Sequence, residues 1–179
     1  IYPQSQSAFE RALKIRRAAL GARHIEVATT LNNLGYLQYV RGAYGEAQDL
    51  LEQALAIREA ALGPDHREVA TTLSNLGLVR LTRGDHEGAR ALFKRAFTIR
   101  ERVLQPGHPG MASIYSNLGV LSYTVGDHDE AQRLQEQARE VQERGRALEG
   151  RHAEALAVLA ELEAQRERLA GLDAELAAV

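Results

Sequence analysis

The stretch His24–Gly35, HIEVATTLNNLG, returns from His66 as HREVATTLSNLG and from His108 as HPGMASIYSNLG, each time 42 residues on. Between residues 24–65 and 66–107, 20 of 42 positions are identical, too many for shared helical composition and enough to define an internal repeat. Fixed marks recur in phase: Asn33, Asn75 and Asn117; Gly35, Gly77 and Gly119; Gly42, Gly84 and Gly126; Ala47, Ala89 and Ala131; Ala54, Ala96 and Ala138. Upstream, AFERALKIR (Ala8–Arg16) aligns with LLEQALAIR (Leu50–Arg58), so the chain opens midway through a unit. The boundaries that follow are a truncated second half over 1–23, full units over 24–65, 66–107 and 108–150, and a C-terminal segment over 151–179.

Each unit reads as two helices. The first half, as in Val27–Val40, is helix-length, carries no charge and ends before a Gly. The second, as in Glu46–Leu62, places Ala47, Leu50, Leu51, Ala54 and Ile57 at the three-and-four spacing of an amphipathic helix, with charges between. Arg41-Gly42, Arg83-Gly84-Asp85 and Val125-Gly126-Asp127 mark turns within units; Leu62-Gly63-Pro64-Asp65 and Leu104-Gln105-Pro106-Gly107 mark turns between them. All four prolines fall outside the expected helix interiors, and no segment alternates as a strand does. The fold class is all-α. Gly35, Gly77 and Gly119 sit mid-helix, where Gly costs roughly 1 kcal/mol against Ala. Their recurrence points to a close helix–helix approach, with Ala47, Ala89 and Ala131 as the expected partner surface.

This pattern resembles the tetratricopeptide repeat, and more narrowly its 42-residue kinesin-light-chain-like type found in many bacterial proteins. The marks are LNNLG, GAYGEA, ALAIRE and LGPDH in the first full unit, and the likeness covers residues 5–150. Where that type carries Tyr or Phe after the turn, this chain keeps Tyr44 but has His86 and His128. The resemblance implies a right-handed superhelical solenoid of antiparallel helix pairs whose first helices line a concave groove. By the same analogy the groove positions are Thr29, Asn32, Asn33, Tyr36, Tyr39 and Val40 in the first unit. They continue as Thr71, Ser74, Asn75, Leu78, Leu81 and Thr82, then as Ser113, Ser116, Asn117, Val120, Tyr123 and Thr124. Relatives use the recurring Asn to hold bound peptides, which makes a protein or peptide ligand the implied partner.

The residues themselves leave two readings of Asn33, Asn75 and Asn117. A primary amide both donates and accepts, so three of them one repeat apart fit the backbone of an extended peptide. Alternatively, each amide orders the packing of its own helix pair. No Lys or Arg stands among the eighteen groove positions, which disfavours acidic tails and favours a fairly neutral segment. Two further roles stay open: a structural spacer or oligomerisation arm, and the sensor arm of a larger bacterial signalling protein with an ATPase or protease domain.

Composition narrows the other classes. The 179 residues are 45% hydrophobic and 26% charged with a formal net charge of −2, which speaks against nucleic acid as partner. No apolar run approaches a membrane span, and with zero cysteines there are no thiolate metal sites and no cysteine nucleophile. The six histidines fall at repeat-defined places: His24, His66, His108 and the displaced His152 between units, His86 and His128 after the turns within them. None pairs at i+3 or i+4, so turn hydrogen bonds are expected rather than metal binding. No phosphate loop, GxSxG or HExxH is present, so no cofactor and no catalytic residue are assigned, and the expected setting is cytoplasmic. The opening Ile1-Tyr2-Pro3, without Met, suggests a piece of a longer protein.

Beyond Leu148 the repeat decays: Glu161 and Glu163 replace the recurring Asn and Gly. A capping helix is expected over His152–Ala178, after a turn at Glu149-Gly150-Arg151. One continuous rod is the rival reading, because Leu134, Val141, Leu148, Ala155, Leu162, Leu169 and Leu176 stand seven apart. The overhang keeps Ala155, Val158, Leu162, Gln165, Leu169, Leu172, Leu176 and Val179 in an a/d series. Self-association through Leu162, Leu169, Leu172 and Leu176, giving a homodimer, is therefore expected, or docking onto a further domain.

Overall fold

The computed structural model describes residues 2–104, 108 and 110–177, with side chains described over 6–104, 108, 110–164, 166 and 168. Among these, seven helices follow one another: α1 (Tyr2–Leu20), α2 (Ile25–Val40), α3 (Tyr44–Leu62), α4 (Arg67–Thr82), α5 (His86–Val103), α6 (Gly110–Thr124) and α7 (His128–Ala177). The first helices are α2, α4 and α6; the second helices are α1, α3, α5 and α7. Each first helix packs against the second helix after it and the one before it, and α4 also touches α2 and α6. The pairs stack as a right-handed tetratricopeptide-type solenoid. None of the described helices is long and apolar enough to cross a membrane.

The scarcity of charge along the first helices, confined to their first turns and to Arg80 of α4, follows from this packing. Val27, Ala28, Leu31, Leu34 and Leu37 of α2 form one core cluster with Leu13 of α1 and Ala54 of α3. Val69, Ala70 and Leu73 of α4 join Ala96 and Ile99 of α5 and Ile114 of α6 in the next. A helix covered on most sides by apolar neighbours has no room for a charge without a partner.

Turn chemistry sets the pairing. Gly42, Gly84 and Gly126 adopt φ of +83°, +83° and +87°, the left-handed region open to Gly. The residue after each closes back on the helix: the N–H groups of Ala43, Asp85 and Asp127 reach the carbonyls of Gln38, Arg80 and Ser122 at 2.9 Å. That is the Schellman arrangement, which ends the first helix and reverses the chain. Between units, Gly63 at φ +86° ends α3 and Pro64 follows.

Gly35 and Gly77 sit at close approaches; the expected alanines neighbour Gly35 and Gly119 through the carbonyls of Ala47 and Ala131, but the tightest contacts come from other side chains. A Cβ built on Gly35 would stand 2.8 Å from Leu51 Cγ and 3.3 Å from the Ala47 carbonyl oxygen. On Gly77 it would collide with the Phe93 ring, whereas on Gly119 its nearest neighbours are at 3.5 Å, ordinary contact. The side chain one turn beyond each alanine, Leu51 or Phe93, fills the notch that the glycine leaves.

The expected turn at Glu149-Gly150-Arg151 is not formed. Helix α7 runs unbroken for 50 residues, and residues 146–164 are exposed on every side. Strict 42-residue spacing gives the reason: Gly63-Pro64 is replaced there by Ala147-Leu148, both strong helix formers. Without a left-handed Gly or a Pro, no backbone group stops the helix. Leu162 is exposed; the side chains of Leu169, Leu172 and Leu176 lie outside the described residues.

Candidate functional site: the face of the first helices

The eighteen expected groove positions separate into two sets. Thr29, Asn33, Tyr36 and Val40 of α2, spaced four, three and four, are exposed or half-buried, and so are Thr71, Asn75, Leu78 and Thr82 of α4. On α6 the same phase leaves Ser113, Val120 and Thr124 exposed and Asn117 half-buried, as is Ser116. Together they make an uncharged strip that crosses three neighbouring helices. Tyr36, Val40, Val120 and Tyr123 are large side chains left open on it, Tyr123 at 64% exposure.

Three positions do not face outward: Asn32, Ser74 and Leu81 are buried. Each lies one residue off the exposed phase and turns under the strip, whereas Tyr123, in register with Leu81, stays open. Tyr39 is half-buried, its ring 6.0 Å from both Tyr36 and Tyr44, and it packs on the Ala47–Leu51 core.

The amide series is not uniform. Asn75 donates from Nδ2 to Asn32 Oδ1 at 3.1 Å, which ties α4 to α2 across the repeat boundary. Asn32 donates in turn to Asn33 Oδ1 at 3.4 Å. The next repeat has Ser74 in place of Asn32, and its hydroxyl is spent on the Ala70 carbonyl oxygen at 2.9 Å. The Asn75 amide thus has a packing role that Asn117, facing a serine one repeat back, does not share.

Three of the six histidines take up the expected turn bonds, while His86 Nδ1 is buried without a hydrogen-bond partner. His24 and His66 are N-caps of α2 and α4, their Nδ1 atoms accepting from the N–H groups of Glu26 and Glu68 at 3.2 Å. His108 accepts likewise from the Gly110 N–H at 2.9 Å. The His128 ring lies 5.0 Å from that of Tyr123 at the edge of the strip.

One repeated residue escaped the sequence reading. Arg16, Arg58 and Arg100 stand 42 apart and staple each second helix to the start of the next first helix. Arg58 Nη1 donates to the Glu68 carbonyl oxygen at 3.0 Å and to Thr72 Oγ1 at 2.8 Å, while Nη2 pairs with the Glu68 carboxylate at 3.3 Å. Arg16 repeats this on Glu26 and Thr30, and Arg100 on Gly110 and Ser113. Burial lowers the basicity of the Arg58 guanidinium and Glu68 draws it back up; at Arg100 burial and the nearby Arg67 both lower it. The signal was present: Arg58 falls four after Ala54, on the buried phase of α3, where a lone charge demands a partner. The corresponding place in α7 is Gln142, so the staple is missing where no new pair begins.

Elsewhere, charges tie second helices together, as in Arg95–Glu59 at 2.6 Å between α5 and α3. No cluster of three or more metal-ligating side chains occurs among the described residues.

Comparison with known proteins places this geometry. A tetratricopeptide-repeat family model matches residues 2–60, 39–102 and 68–144. No curated protein matches the chain. Among solved structures, BtubC (BKLC) from P. vanneervenii is similar with a TM-score of 0.70 at 23% identity, over 79% of this chain and 56% of that one. A putative kinesin light chain from Podosopora anserina, with nearly identical TPR-like repeats, has a TM-score of 0.61 at 24% identity, over 79% and 67%. This chain thus spans about half to two thirds of the length of those neighbours, and at such identities the likeness concerns the fold.

Proposed function

Because the chain belongs to the tetratricopeptide-repeat family, whose repeats generally mediate protein–protein interaction, we propose that it binds an extended, fairly neutral peptide segment across the first-helix face. Binding is its whole task in this reading, with no catalysis of its own. The supporting observation is the uncharged strip of exposed and half-buried amides, hydroxyls and apolar side chains that continues from α2 through α4 to α6. Asn33 and Asn117 are the amides offered to the peptide backbone; Tyr36, Val120 and Tyr123 supply apolar contact. Asn75, held by Asn32, contributes through its remaining lone pair and N–H.

A packing role accounts for part of the same series, because the Asn75–Asn32 bond joins two repeats. The two roles part under mutation. Peptides selected from a random, uncharged library should bind the wild-type chain. The Asn33→Ala/Asn117→Ala variant should bind them roughly tenfold or more weakly, with its Tm lowered no further than by Asn33→Ala alone, which also removes the Asn32–Asn33 bond. Unchanged affinity in that variant overturns the peptide reading and leaves a spacer with an unused face.

A further inference from the structure

We infer that the outer half of α7 pairs with the same segment of a second copy as a parallel, in-register two-stranded coiled coil. The inference does not depend on what the first-helix face binds.

Among the described helices, α7 packs on α6 alone, and from Arg146 onward its described side chains are all exposed. The rod from Arg146 to Ala177 is about 48 Å long at 1.5 Å per residue. It is not polar all round. Leu148, Val158, Leu159 and Leu162 are each more than half exposed, and they lie on or beside a heptad seam with Leu148, Ala155, Leu162, Leu169 and Leu176 at a and Arg151, Val158, Gln165 and Leu172 at d. From Ala155 to Leu176 the seam runs three heptads with Gln165 as its one polar member, and nothing packs against its described side chains, which makes it a half-built interface.

Charge identifies the occupant. In a parallel pair, a g residue faces the e residue five positions on in the other helix. Glu161 (g) then faces Arg166 (e) of the second copy, and by heptad position Arg168 (g) faces Asp173 (e). Both contacts join opposite charges and the two-fold axis repeats them. With the helices antiparallel, g faces g and e faces e, and the complementarity depends on Glu161 against Arg168 instead. Gln165 provides one polar d layer, the device that fixes register.

Two charge-reversed variants of the whole chain test this. The first is Arg166→Glu/Asp173→Arg, the second Glu161→Arg/Arg168→Glu; neither touches the a/d seam or the repeats. By sedimentation at high micromolar concentration the wild-type chain should be a dimer. Each variant alone should dissociate at least about tenfold more readily. An equimolar mixture should recover the dimer, since every g–e contact is again of opposite charge. A monomeric wild-type chain overturns the inference. So do variants that each stay fully dimeric, the behaviour of antiparallel pairing, and a mixture that remains monomeric.

Discussion

At the scale of single residues, one repeated glycine plays different parts in different repeats. The Phe93 ring occupies the space a Cβ would need at Gly77, and nothing comparably close faces Gly119. Gly77→Ala should therefore destabilise the chain by about 1–3 kcal/mol through overpacking. Gly119→Ala should be neutral or stabilise by up to about 1 kcal/mol, because it removes a helix-interior Gly. Denaturant unfolding of the two variants measures both signs. The arginine staples are graded too. Arg58 is 4% exposed and bonds a fully buried Thr72, whereas the Arg16 side chain is 39% exposed. Arg58→Ala should cost about 2–3 kcal/mol and Arg16→Ala under about 1 kcal/mol, read from the same unfolding curves. Recurrence made these glycines visible in the sequence. It did not show what fills the notch, since spacing gives the phase of a helix and not which neighbouring side chain reaches across. The arginines were hidden for a related reason: an amphipathic pattern sorts charge to the solvent side, and Arg58 is the charge that breaks the sorting.

Among the elements, α7 departs furthest from the sequence reading. Leu148…His152 repeats the spacing of Leu62…His66, but helix ends are made by backbone conformation and not by spacing. Gly63 supplies the left-handed residue, and Ala147 cannot do so cheaply. With no cysteines in the chain, spin labels at Glu140→Cys and Ala160→Cys read the result directly. Diluted in unlabelled protein, they should lie about 30 Å apart along one continuous helix. A hairpin at 149–151 would bring them to about 10 Å. The helix starts were far more legible, because the histidines and aspartates that cap them recur with the repeat. Asp85 caps α5 through the Gly88 N–H at 2.9 Å and pairs with Arg80 at 2.8 Å. The Arg80 hydrogen bond, joined by the Gly88 N–H, holds its carboxyl below the usual carboxylate range. A group depressed in the folded state stabilises above its unfolded pKa and loses that contribution as the pH falls through the folded value. Asp85→Ala should therefore lower Tm at neutral pH, and its deficit against the wild-type chain should shrink as the pH drops below about 4.

Over the whole molecule, the 42-residue repeat carried nearly all of the architecture, because each unit contacts its neighbours and little else. The binding face was legible in phase only. Twelve of its positions follow the four-three-four spacing to the surface, while Asn32, Ser74 and Leu81, one step off, are buried. Sequence analogy alone does not resolve a step of about 100° around a helix with so few charges to mark its faces. A neutral face also fixes how binding responds to salt. Affinity for selected peptides should change less than roughly threefold between about 50 and 500 mM salt, where a cation-lined groove would lose far more. If α7 pairs two copies, both faces are presented together, and a divalent peptide gains avidity that a monovalent one lacks. The most direct test of the face itself is the side-chain amide NMR signals of Asn33 and Asn117 during titration with a selected peptide. Both should shift in proportion to occupancy while the outward Gln53 of α3 stays still. Movement of the α3 signal, with Asn33 and Asn117 unchanged, would place the ligand on the opposite surface.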